Sequence, residues 1–160
     1  MKAVEVIDNF FPSNEFTAIQ SLFLGNSIDW HWNDHRVRPG DGGYQLTSMF
    51  CSQEGYPTPN FNLIEPFLYK LKCKEVFRIK ANLTFRTLFH RGGGYHIDFP
   101  NVITSILYIN TNNGYTKFQK GGKVKSVANR MLVFDSNLKH QAVSCTDQMR
   151  RVVVNFNYRM

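Results

Sequence analysis

Cysteine is scarce in this chain. There are three, Cys51, Cys73 and Cys145, an odd number with no C-x-x-C pair. That excludes a disulfide framework and a zinc ribbon, and leaves buried or idle thiols as the reading. No apolar run of 18 or more residues occurs, so no segment reads as a membrane span. The start, MKAVEVIDNFFPSNEF, has early acids and no apolar core before a cleavage site, unlike a signal peptide. A soluble, cytoplasmic protein is the expectation. Linkers, low-complexity stretches and internal repeats are also missing, and 160 residues suit one domain.

What the chain does have is aromatic residues, 14 Phe, 7 Tyr and 2 Trp, and an uneven charge. Residues 1–80 hold eight Lys and Arg against nine Asp and Glu, whereas residues 81–160 hold eleven against three. A basic half fits nucleic acid, an acidic substrate or simple solubility. Lys117, Lys120, Lys123 and Lys125 flank Gly121-Gly122, the pattern of an exposed hairpin edge.

VEVI at the start predicts a short strand. Pro12-Ser13 opens a helix through about Leu24, capped by Ser13 or Asn14. Gly25 to Gly43, with WHWNDHRVRPGDGG, reads as a loop or lid, and YQLTSMF (44–50) as a strand. Asn60 to about Lys72 has the periodicity of a second helix, with Phe61, Ile64, Phe67, Leu68 and Leu71 on one side. From Val76 the period becomes two. FRIKANLTFRTLF (77–89), VITSILYI (102–109), YTKF, VKSVA, RMLVF and RVVVNFNY all read as strands, and Asn113-Gly114 as a hairpin turn. The expected fold class is α+β, mainly β: a double-stranded β-helix, or jelly-roll, core with N-terminal helices packed against it. Residues 1–75 form a helical prelude and lid, and 76–160 the β-core, of a single domain.

The stretch GGGYHIDFPN (92–101) places His96 and Asp98 one residue apart. On a strand, residues two apart share a face. Two ligands hold a transition metal weakly, and the candidate third is His140 in DSNLKHQAV, after the RMLVF strand. Two histidines and a carboxylate on one side of an ion form the open facial triad of non-haem iron sites. His31, His35 and His90 are rivals, but His90 lacks an acidic neighbour and the other two lie in the loop. Arg151, beginning RVVVNFNY, is an arginine at inward-facing parity, costly to bury unpaired. A dicarboxylate would pair it, and so would Asp135 or Asp147.

H-x-D, then T-S-I-L-Y-I-N, R-M-L-V-F, a histidine and R-V-V-V-N-F-N, in that order, resemble the 2-oxoglutarate/Fe(II)-dependent dioxygenase superfamily, above all its small prolyl-4-hydroxylase-like members of phage and bacterial type. The resemblance runs from about Phe77 to Tyr158. It implies that His96, Asp98 and His140 are the catalytic metal ligands and hold Fe(II). It further implies that Arg151 binds the distal carboxylate of 2-oxoglutarate, and that Tyr108, with Thr104 earlier on the same face of its strand, adds hydroxyl contacts. Asn82 and Arg86 share parity on the preceding strand and are expected to line the pocket. Relatives often have serine where Val153 stands, and Asn129 replaces a glycine at a left-handed turn.

The implied reaction couples O₂ and oxidative decarboxylation of 2-oxoglutarate to hydroxylation of a peptidyl side chain, prolyl by likeness, or of a small amino-acid-like molecule. Substrate contacts are expected from the 25–43 lid and the loop at Tyr56-Pro57. A nucleic-acid substrate ranks lower, because dealkylases of the superfamily carry a second arginine where Asn157 stands. The alternative outside enzymology is a non-catalytic jelly-roll binding module. A structural zinc site would want a fourth ligand, and only Cys145 lies near.

Overall fold

In the computed structural model, which describes residues 4–160, the chain builds three layers. A seven-stranded antiparallel sheet runs in the order β1-β8-β5-β10-β4-β3-β2. It comprises β1 (Val4–Ile7), β2 (His31–Asn33), β3 (Gln45–Cys51), β4 (Glu75–Phe85), β5 (Ile103–Tyr108), β8 (Arg130–Asp135) and β10 (Arg150–Arg159). A three-stranded sheet, β7-β6-β9, covers one face of it, formed by β6 (Tyr115–Phe118), β7 (Lys123–Lys125) and β9 (His140–Val143). Helices α1 (Ser13–Leu24) and α2 (Glu65–Leu71) cover the other face. No described helix is long and apolar enough to cross a membrane.

Period-two alternation sorts each central strand between the two outer layers. Ile79, Ala81 and Leu83 of β4, with Val152, Val154 and Phe156 of β10, meet Phe16, Phe23, Ile64, Phe67 and Leu71 from the helical side. Phe67 stacks on Phe156 with ring centroids 5.9 Å apart. Ile106, Tyr108, Leu132, Phe134 and Val153 face the small sheet, where Phe118 meets Phe134 edge-on at 5.1 Å. The cysteines Cys51, Cys73 and Cys145 are all free thiols.

Several elements differ from the expectation. Asn60–Lys72 is not one helix but a 3₁₀ turn, Phe61–Leu63, followed by α2. Pro66 is the cause: it has no N–H to continue a helix from residue 62, and its ring needs the first turn of α2. The predicted loop 25–43 contains β2, which pairs with Gln45–Thr47 of β3. The start of α1 has Pro12 at its N-cap, with no side-chain cap from Ser13 or Asn14. β4 ends at Phe85, opposite Arg150 where β10 begins; Arg86 N–H still reaches Met149 C=O at 3.0 Å, and beyond it Leu88 and Phe89 project into solvent. Asn113-Gly114 turns no hairpin, since it carries the chain from β5 in one sheet to β6 in the other. Gly121 does turn one, at φ +122° between β6 and β7, with Lys123 lying 4.6 Å over the Tyr115 ring. Asn129 takes φ +63° and is held there by both ends of its amide, which accept from Phe11 N–H and donate to Phe11 C=O.

Candidate metal and anion site

Between the two sheets lies one cavity of about 110 Å³. His96, Asp98 and His140 line it, and so do Arg36, Val37, Arg78, Lys80, Asn82, Thr116, Arg151, Val153 and Asn155.

The H-x-D segment is less of a strand than its parity suggests. His96 makes a single reciprocal backbone bridge to His140, N–H to O=C in each direction at 3.0 Å, and Asp98 lies in a bend beyond it. Gly94, at φ +97°, turns the chain so that its own carbonyl accepts from His96 Nδ1 at 3.0 Å. Leu138 C=O does the same for His140 Nδ1 at 3.2 Å. With both Nδ1 atoms donating, each Nε2 presents a lone pair. Those two atoms stand 3.7 and 3.9 Å from the two oxygens of Asp98. One ligand atom from each of the three residues falls within 4.8 Å of the others, and no other such group of His, Cys, Asp and Glu occurs among the described residues. Donors about 2.1 Å from an ion at right angles to one another stand about 3 Å apart, so slight closure would seat one. Among the described residues no cysteine or second carboxylate completes a tetrahedron, and the donor set fits an open divalent site. His31, His35 and His90 stay outside it; His35 bonds Asp34, and His90 bonds Ser144 C=O.

Asp98 has a neighbour that sequence parity did not single out. Arg78 of β4 sits with Nη2 2.8 Å from Asp98 Oδ1, an ion pair made off the N–H axis, and its Nε has no partner. Burial pushes the Asp98 carboxyl up, but Arg78 and then the two imidazoles overcome that and hold it at about 2. Burial also lowers the His140 imidazole below its ordinary range. Lys80, two residues along β4, is pushed down to about 8 by burial and by Arg78.

At the other end, Arg151 is only 2 % exposed. Its partners are hydroxyls: Nε donates to Ser126 Oγ at 2.9 Å and Nη2 to Thr116 Oγ1 at 3.4 Å. Tyr108 Oη donates to the same Thr116 at 2.8 Å, and its ring lies 5.5 Å from the guanidinium. Neither Asp135 nor Asp147 reaches Arg151; they accept from Asn137 and Asn113. Among the described residues the guanidinium has no carboxylate within 4 Å. Its stem passes against Gly114, where a Cβ would meet Arg151 Cδ at 2.9 Å and Val143 O at 2.9 Å. Arg150 points to the helical layer and donates to Leu24 C=O at the end of α1.

Thr104 is a correction. It is fully buried, accepts from Asn157 Nδ2 at 3.1 Å, and pairs in register with Asn157. Asn157 lies six residues after Arg151, about 20 Å along β10, so Thr104 stands at the Asp98 end of the cavity, not beside Arg151. The hydroxyls beside Arg151 are Thr116 and Ser126. They sit on the small sheet and its connection, whose approach no parity rule reveals. Asn82 lines the cavity, but Arg86, past the end of β4, does not. Of the 25–43 segment, Arg36 and Val37 line it; Tyr56-Pro57 lies elsewhere.

No family model matches the chain, and no curated protein does. Solved structures do. A 2OG-Fe(II) oxygenase-family oxidoreductase from Burkholderia pseudomallei superposes with TM-score 0.70 at 11% identity, over 98% of this chain and 85% of that one. A prolyl hydroxylase from Trichoplax adhaerens, solved with a hypoxia inducible factor peptide fragment, gives 0.66 at 16% identity, over 99% and 84%. A Pseudomonas putida prolyl-4-hydroxylase gives 0.64 at 13% identity, over 99% and 93%. The layers, the cavity between them and these superpositions lead to one conclusion: the chain has the fold of the 2-oxoglutarate–Fe(II) oxygenases.

Proposed function

We propose that this chain is a 2-oxoglutarate-dependent non-haem Fe(II) dioxygenase with a jelly-roll core spanning one domain, which hydroxylates a peptidyl side chain or a small amino-acid-like molecule. One observation carries the reading. A single cavity holds an open two-histidine, one-carboxylate cluster and a buried arginine that no carboxylate among the described residues neutralises.

His96 Nε2, His140 Nε2 and Asp98 are the metal ligands in this reading, and they leave positions free for cosubstrate and O₂. Iron held there with 2-oxoglutarate would supply O₂ activation: O₂ would take two electrons from the decarboxylating cosubstrate and two from a substrate C–H bond, leaving one oxygen atom in succinate and the other in the new hydroxyl group. Arg151 holds the distal carboxylate as a bidentate fork, while Thr116 and Ser126 fix the guanidinium and Tyr108 orients Thr116. Arg78 keeps Asp98 ionised and oriented. Val153 and Ile106 keep water from the middle of the cavity.

The test is binding and turnover on protein loaded anaerobically with Fe(II). The expected result is one metal per chain, 2-oxoglutarate binding that depends on Arg151, and slow succinate release without substrate. Metal binding with no 2-oxoglutarate binding would favour the non-catalytic module.

A further inference from the structure

Four cations line the cavity, Arg36, Arg78, Lys80 and Arg151, against one carboxylate, Asp98. In the oxygenase reading, on which the subsite proposed for Lys80 rests, a divalent metal and a doubly charged cosubstrate cancel each other, and a threefold positive excess remains. Three of the cations have partners. Arg78 faces Asp98. Arg151 faces the cosubstrate. The Arg36 guanidinium donates to the carbonyls of Tyr44 and Arg91. Lys80 has no such partner: among the described residues no carboxylate lies within 4 Å of it and its ammonium makes no hydrogen bond, and Asp98 attracts it only from farther away.

The surroundings of Lys80 are built for a ligand rather than for packing. It lies in register with Asn155 of β10 on one side and Met49 of β3 on the other. Asn155 Oδ1 and Asn82 Oδ1, on the same face, are buried and without hydrogen-bond partners. A native interior leaves few such groups unpaired. A cation without a carboxylate, in a cavity with an excess of positive charge, matches a carboxylate, and two unpaired amide oxygens beside it match N–H or O–H donors on the same small molecule.

We propose that Lys80 anchors a carboxylate of the primary substrate, with Asn82 and Asn155 bonding polar atoms beside it, so that the substrate is a small free acid rather than an interior residue of a peptide. Arg151 serves the cosubstrate and Lys80 the substrate, two cationic subsites in one cavity.

Calorimetry on protein loaded with Zn(II) and saturating 2-oxoglutarate, which binds without turning over, tests this. The titrants are the free amino acids, their carboxamides and inorganic phosphate. One or more free acids should bind, the matching carboxamide at least tenfold more weakly. Lys80→Met should lose that binding tenfold or more, and Lys80→Arg should restore part of it. Zn(II) and 2-oxoglutarate affinities of Lys80→Met should stay within twofold of wild type, which also shows that the variant folds. Equal binding of acids and carboxamides, binding of phosphate alone, or no binding of any acid would overturn the proposal. A Lys80→Met loss confined to 2-oxoglutarate would assign Lys80 to the cosubstrate and overturn it too. Failure of the wild type to bind Zn(II) and 2-oxoglutarate would instead strike the oxygenase reading, and the subsite with it.

Discussion

Arg150 and Arg151 are adjacent, yet strand alternation sends one to the helical layer and the other between the sheets. Leaving a buried anion without its charged partner costs about 2–5 kcal/mol, so Arg151→Ala should weaken 2-oxoglutarate binding about 30-fold or more in a calorimetric titration. Arg150→Ala should leave that affinity unchanged and lower the melting temperature slightly, through the lost bond to Leu24 C=O. Gly114 offers a subtler probe. A methyl group there would press on Arg151 Cδ and on the Val143 carbonyl, which is backbone and cannot give way. Gly114→Ala should weaken 2-oxoglutarate binding while metal affinity holds, and equal losses of both would reject the local account. At this scale the sequence was most legible where a residue type is expensive in its setting. An arginine at inward parity, or a histidine two residues from an aspartate, announces itself. Arg78, Thr116 and Ser126 did not, because their importance comes from which distant strand they meet.

Among the elements, the loop after β2 is organised by one side chain. The Asp41 carboxylate accepts from the backbone N–H groups of Arg36, Val37, Arg38 and Gly43. Burial would raise its pKa, but those four donors outweigh it and hold the carboxyl at about 2, below the ordinary 3.8. A depressed carboxyl stabilises the folded loop above its unfolded pKa and loses that contribution as pH falls through the folded one. The loop that places Arg36 and Val37 should therefore be held above about pH 4 and loosen toward about pH 2. Asp41→Asn should mimic the acid state at neutral pH, with faster hydrogen exchange at those four amides and little change in the β4 and β10 amides. Helix boundaries were poorly legible for a related reason. The apolar periodicity of 60–72 is real, but Pro66 interrupts the hydrogen-bond ladder that periodicity takes for granted.

At the scale of the whole molecule, His96, Asp98 and His140 come from segments on either side of β5 to β8, and an ion there binds only the folded chain. Metal at a hundred times its Kd adds about 2.7 kcal/mol to stability, which in a domain of this size raises the melting temperature by about 5–10 °C. Thermal melts with and without Zn(II) should show that rise in the wild type and none in His140→Ala. The alternation of every strand after Val76 made the layered β class legible. The order in which those strands pair was not, since seven strands of similar pattern admit many registers, and only the close approach of the two sheets selects one.

The single backbone bridge between His96 and His140 gives a bound ion a second office, as a latch. The chain from Arg86 to Asp98 leaves the large sheet, exposes Leu88 and Phe89, and runs beside His140–Met149, tied by the bridges Gly92 to Val143 and His96 to His140 and by backbone bonds from Arg86, Thr87, Arg91 and Gly93. It puts an aromatic cleavage site, Phe89, on display. Metal coordination closes it at the end that matters. Chymotrypsin should cut the metal-free protein near Phe89 or Tyr95 and spare the loaded one, so that the supply of metal would govern how long the molecule survives.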